Sequence, residues 1–176
     1  MTAVTQSRNT WYQHERDTLL IPLAADAVVY PGCLACVDGD GYLVDADDAD
    51  GYKGCVLVES DPDNPGRASY DNTGGSDGDI HVLCRTKGRV RMKLYGRTPQ
   101  QDMLYAKVYV VDNQTVAVHR WDVTHDIQAG FITRLPADTL AAYPLADFDS
   151  DEVEIELGGE PFDWGDELTT TTTAQA

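Results

Sequence analysis

The chain has 176 residues, 42% of them hydrophobic and 9% aromatic, and carries a formal charge of −17 at pH 7. That length suits one domain with appendages and a real hydrophobic core, and no apolar run nears the roughly 20 residues of a membrane-spanning helix. So acidic a surface repels phosphate backbones, which argues against nucleic-acid binding by the molecule as a whole.

Residues 1–17, MTAVTQSRNTWYQHERD, form a polar arm carrying Trp11 and Tyr12. The arm lacks the apolar stretch of a secretory signal. The expectation is a soluble protein, kept in the cytoplasm unless it leaves inside a larger particle. Three segments are expected: the arm at 1–17, a β-domain at 18–145 and an acidic C-terminal extension at 146–176.

Helical periodicity is scarce in the middle segment. Alternation of apolar and polar residues recurs there instead, with turn dipeptides roughly every eight to twelve residues, the pattern of an all-β sandwich or barrel. Strands are expected near TLLIPL, AVVY, CLACV, YLVDA, KGCVLVE, DIHVLCR, GRVRMKLY, LYAKVYVV, TVAVHR and AGFITR. One hairpin joins CLACV to YLV through Asp38-Gly39-Asp40-Gly41. A second joins YVV to TVAV through Asp112-Asn113, as a two-residue turn. Many Asp residues sit beside Gly, which fits tight turns; adaptation to high salt is the other reading of the acidity. Residues 60–79, SDPDNPGRASYDNTGGSDGD, read as a long loop, and loops that long are usually functional or mobile. A short helix is predicted around PADTLAAY, with Asp138 near its start. After Arg134 there is no further Lys or Arg, residues 147–167 are dense in Asp and Glu, and TTTTTAQA ends the chain as a low-complexity tail.

The segment RTKGRVRMKLYGR, 85–97, holds six of the thirteen Lys and Arg residues. Within it, Arg89, Arg91 and Lys93 share one strand face, and Val90, Met92 and Leu94 the other. EVEIEL, 152–157, has the same alternation with opposite charge: Glu152, Glu154 and Glu156 against Val153, Ile155 and Leu157. Side by side, the two would align their apolar faces and pair their charges, each pair adding about 0.2–1 kcal/mol. A one-residue slip would turn every apolar group outward. The two strands are therefore expected as sheet neighbours, within one chain or between subunits. Otherwise they are separate solvated strands, or the basic row is a docking patch for an acidic partner.

Catalytic and metal signatures are thin. Cys33 and Cys36 have the spacing of a zinc or redox motif. In an extended segment, however, residues three apart point to opposite faces, so buried free thiols are expected. His119 and His125 flank RWDVT, with Asp122 and Asp126 nearby, but follow no zinc-helix or facial-triad pattern. DGDG and DADDADG offer oxygens for calcium without the twelve-residue loop and its closing Glu. Ser60, Asp61 and Ser69 sit in no nucleophile elbow. NTGGSDGD lacks a P-loop Lys, and Trp11, Trp121 and Trp164 are too scattered along the chain for a stacking platform. No catalytic residue, metal site or cofactor is expected.

The order of elements in AADAVVYPGCLACVDGDGYLVDADDADGYKGCVLVE, followed by GRVRMKLYG, LYAKVYVVDNQTVAV and AGFITR, resembles that of the head-decoration, or capsid cement, proteins of tailed bacteriophages. The resemblance spans residues 20–135. It implies a small β-barrel or β-tulip-like domain without enzymatic activity. Such proteins bind the outside of an icosahedral shell, often as homotrimers, and bridge neighbouring capsomers of the major capsid protein. It also implies that the N-terminal arm reaches over the shell, with Trp11 and Tyr12 as buried anchors. Capsid or subunit contacts are thus expected at Trp11, Tyr12, Arg89, Arg91, Lys93, Glu152, Glu154 and Glu156, with neither nucleic acid nor membrane as a partner. The 60–79 loop and the acidic tail lie outside the simplest form of that family. The other readings are a carbohydrate- or calcium-binding β-sandwich module and a small β-fold hydrolase.

Overall fold

The computed structural model describes residues 18–136 and 149–158. The arm at 1–17, the helix predicted at PADTLAAY (beyond Pro136) and the tail after 158 lie outside the described residues. Those described form an all-β protein of twelve strands and two 3-10 turns, the latter at Gln101–Met103 and Arg120–Asp122. The strands are β1 (Thr18–Pro22), β2 (Val28–Val29), β3 (Leu34–Val37), β4 (Leu43–Asp45), β5 (Gly54–Val58) and β6 (Tyr70–Asp71), then β7 (His81–Arg85), β8 (Gly88–Leu94), β9 (Lys107–Val110), β10 (Thr115–Ala117), β11 (Gln128–Arg134) and β12 (Glu152–Leu157).

The first half of the chain makes a five-stranded sheet in the order β1-β7-β5-β3-β4. Its strands are short and apolar, so both faces must be covered. The sheet curls until Leu23, just past β1, bridges Leu43 of β4 in parallel, and the Ala24 N–H donates to the Leu43 carbonyl at 2.9 Å. Ile21, Leu23, Ala35, Leu43, Val56, Val58, Val82 and Cys84 fill the concave side together with Val29 and Tyr70.

The last two belong to β2 and β6, which pair as a two-stranded ribbon. The 60–79 segment, read from sequence as a bare loop, thus contains a strand and contributes to the core. Tyr70 is buried, and so is Asn72, whose side-chain amide donates to the carbonyls of Ala24 and Ser76 at 2.8 and 2.9 Å. Sequence periodicity misses β6 because two paired residues are too few to show alternation.

The second half closes into a five-stranded barrel, β10-β8-β12-β11-β9. β8 and β10 run parallel, and the other pairings are antiparallel. Inside are Met92, Leu94, Val108, Val110, Val116, Ile132, Val153, Ile155 and Leu157, in one cluster with Leu34, Cys36 and Leu57 from the convex face of the curled sheet. This cluster joins the barrel to the convex face of the sheet, while the concave side holds a separate one. β12 falls within the stretch set apart from sequence as a C-terminal extension from 146. Its three apolar side chains are at most 1% exposed, so the β-domain continues to Leu157.

The Asp38–Gly41 hairpin forms as expected, with Asp38 Oδ1 accepting from the N–H groups of Asp40, Gly41 and Tyr42. The β9–β10 turn is one residue longer than expected. Val110 pairs with Val116 and the Val111 N–H donates to the Thr115 carbonyl, leaving Asp112, Asn113 and Gln114 in the loop. The extra residue lets the Asn113 amide reach both carboxylate oxygens of Asp45 at 3.0 and 3.1 Å.

Gly130 lies at a register shift between β11 and β9, where β11 also crosses β12 closely. A Cβ there would overlap the carbonyl oxygen of Glu156. Gly130→Ala should therefore destabilise the fold by about 3 kcal/mol through overpacking against backbone. Gly66→Ala, at an exposed turn with nothing near its Cβ position, should stay within about 0.5 kcal/mol. Urea unfolding of the two variants checks this.

Candidate functional site

The basic row of β8 and the acidic row of β12 lie side by side within one chain. The register is antiparallel: Lys93 faces Glu152, Arg91 faces Glu154, and Arg89 faces Glu156. Val90 and Met92 face Ile155 and Val153 one step out of phase. The pairing expected from sequence is therefore present, and it is intramolecular. Arg89 Nε donates to Glu156 Oε2 at 3.1 Å, and its Nη1 lies 3.7 Å from Glu154 Oε1. Arg134 of β11 reaches the same Glu154 oxygen at 3.4 Å, so two cations flank one carboxylate. The ladder lies on the outer wall of the barrel, with Arg89 half exposed.

A second surface feature lies at the edge of the curled sheet. β1 pairs on one side with β7. Until the bridge at Leu23, no strand among the described residues pairs on its other side. Leu19 and Leu20 are 50% and 65% exposed there. Leu19 pairs with Cys84 and Leu20 with Leu83, so the two leucines point to opposite faces of the edge. From sequence, TLLIPL reads simply as a strand. Only the strand order shows that it is an edge.

The aspartate-rich loop 47–50 tethers the curled sheet to the barrel. The Tyr52 hydroxyl donates to Asp47 Oδ1 at 2.7 Å. The Asp48 carboxylate accepts from the backbone N–H groups of Thr124 and His125, the latter at 2.7 Å. The His125 ring is held as well, with Nδ1 3.0 Å from the Asp48 carbonyl. Burial works against the charged form of Asp48, but the two N–H donors, with His125 nearby, prevail and hold it below the ordinary carboxylate value. Burial raises Asp45, against its bond from Asn113. The oxygens of DGDG and DADDADG thus serve turns and tethers. Among the described residues, no group of three or more His, Cys, Asp or Glu is arranged to hold a metal.

All four cysteines are free. Cys36 packs in the shared core and lies opposite Cys55, while Cys84 lines the concave side of the sheet. Burial pushes the Cys36 and Cys84 thiols up to about 12, so they behave as small apolar groups. The Cys33 sulfur, just before β3, lies 3.7 Å from Gln114 Nε2.

The barrel end where β8 and β10 finish carries exposed aromatic side chains: Tyr95, Tyr105 and Trp121. The ring of His119 stacks on Trp121 with centroids 4.3 Å apart and planes 11° from parallel. Arg97 Nε lies 3.5 Å from Asp122 Oδ2. Sequence reasoning set Trp121 aside because the tryptophans are far apart in the chain, and His119 and Asp122 because they follow no metal-site pattern. The usable signal was the short spacing His119-x-Trp121-Asp122 after a strand. Trp11 and Tyr12 lie outside the described residues.

Comparison with protein-family models, with curated proteins and with solved structures finds no match for this chain.

Two measurements follow. Arg89→Glu should lose about 0.2–1 kcal/mol, and adding Glu156→Arg should restore most of it, giving a positive coupling in a double-mutant cycle of urea unfolding. Asp48 contributes stability that is present above its unfolded-state value and is lost as pH falls through the lowered folded-state value. Asp48→Asn should therefore narrow the difference in unfolding midpoint between about pH 7 and about pH 3.

Proposed function

We propose that this protein is a virion structural component. In this reading it decorates the outside of an icosahedral capsid, bridges neighbouring capsomers of the major capsid protein, and acts as a homotrimer without enzymatic activity. The observation that carries the reading is the edge of β1, with Leu19 and Leu20 exposed, which no strand among the described residues pairs up to the bridge at Leu23. An open, apolar edge invites a strand or an apolar surface from another chain. The order of elements over residues 20–135, which resembles that of capsid cement proteins, supports the same reading.

The physics of such a role is undemanding for each copy. Many symmetry-related copies, each touching two or three neighbours, gain from multivalency without tight single contacts. A net charge of −17 would keep a coated particle soluble. The outer face of the Arg89/Glu156 ladder offers mixed charge for polar contacts at the rim of such an interface.

Co-sedimentation with expanded capsid shells from the same source tests the proposal, with light scattering on the free protein. The expected result is saturable pelleting with the shells, weakened about tenfold by Leu19→Asp/Leu20→Asp. A protein that stays monomeric and remains in the supernatant with the shells would refute it.

A further inference from the structure

We infer that the barrel end where β8 and β10 finish is a binding site for a neutral saccharide. A groove of about 520 Å³ opens there, lined by Arg97, Thr98, Gln100, Asp102, Met103 and His119, with further apolar floor from neighbouring residues. That volume falls in the range of about 300–1,000 Å³ typical of small-molecule sites.

The decisive group is Trp121. The residue is 74% exposed, an uncommon position for the largest apolar ring. Trp121 stands at the rim, outside the residues that line the groove, with its indole stacked on His119, which does line it. Beyond that stack the ring stays largely open to solvent at the mouth of the groove. The backbone holds it too: Trp121 sits in the 3-10 turn Arg120–Asp122, closed by the Asp122 N–H on the His119 carbonyl at 3.0 Å. A rigid, open aromatic plane suits a ligand with a flat apolar face, such as the C–H face of a pyranose ring.

The groups beside it suit hydroxyls. Arg97 and Asp122 meet through a contact of 3.5 Å, and their side chains are 40% and 24% exposed. A guanidinium has five N–H donors and a carboxylate two acceptor oxygens, so one such contact uses only part of either. Vicinal hydroxyls can accept from the first and donate to the second. Gln100, Thr98 and Asp102 add polar atoms along the wall. Tyr105 stands between groove-lining Met103 and Ala106. It is 59% exposed, with φ +66°, a conformation bulky residues seldom adopt, and its N–H is bonded to the Ile132 carbonyl at 2.8 Å.

Charge selects against anionic ligands. Arg97 and Asp102 line the groove, Asp122 pairs with Arg97 and Arg120 with Asp126, so the cations there are matched by carboxylates and, in a protein of net charge −17, phosphate, sulfate and carboxylate groups are disfavoured. An uncharged ligand with one apolar face and several hydroxyls is what remains. This inference does not rest on shell docking, and its test uses the free full-length protein.

The experiment is calorimetric titration with a panel of neutral oligosaccharides, with sialylated and sulfated glycans and a proline-rich peptide as comparators. The expected result is binding of at least one neutral oligosaccharide. Trp121→Ala and Arg97→Ala should each weaken it about tenfold or more at unchanged thermal unfolding. In a Trp11→Phe/Trp164→Phe background, the emission of Trp121 should shift on saturation, a readout that does not depend on removing the indole. No binding of any neutral oligosaccharide at about 10 mM would overturn the inference. So would unchanged Trp121 emission, undiminished binding by Trp121→Ala, or preference for the charged glycans or the peptide.

Discussion

The structure depends on the pairing of β8 with β12. β12 sits between β8 and β11 and closes the barrel, although its residues come from far along the chain. Two effects hold it there, and their sizes separate their roles. Val153, Ile155 and Leu157 are essentially fully buried, each contributing about 1.5–3 kcal/mol relative to exposure. The outward ion pairs contribute about 0.2–1 kcal/mol each. Burial therefore supplies most of the attachment. The charges act against misregister, because a slip by one would bury glutamates and expose the apolar row.

That division explains why a strongly acidic protein concentrates its cations on one segment. A strand with Glu at every outward position would repel an acidic neighbour. Placed between basic β8 and the Arg134 end of β11, it meets cations on both sides. Among the described residues, other carboxylates sit in turns and tethers, where they accept backbone N–H groups, as Asp38 and Asp48 do. The same tethers, with Asn113 on Asp45, bind the curled sheet to the barrel across their shared core. Among the described residues, exposed large apolar side chains gather at the β1 edge and at the aromatic barrel end, and the two functional proposals fall on these.

That the two charged rows are sheet neighbours was legible in the sequence because both strands are long enough to show full alternation; their direction and register partners were not. Most strand positions were legible for the same reason, and the Asp38–Gly41 turn because its residues have strong backbone preferences. β6 was not, since it is only two residues long and is held because Tyr70 and the adjoining Asn72 enter a core assembled from elsewhere. The β9–β10 turn holds Gln114 as well as the expected Asp112 and Asn113, and what the sequence could not show is that Asn113 bonds Asp45, a partner 68 positions away. At the candidate sites, the chain shows that Leu19, Leu20 and Trp121 exist but not that they are exposed.

By itself, then, the sequence determined the all-β class, the alternation of each long strand and the opposite charge of two matching rows, because these are properties of consecutive residues. The tertiary structure alone decided that the ladder forms within one chain, that β1 is an edge, and that His119, Trp121, Arg97 and Asp122 meet at one barrel end. Those outcomes follow from strand order and sheet curvature, which are set by how two apolar faces fill one core and which no local pattern encodes.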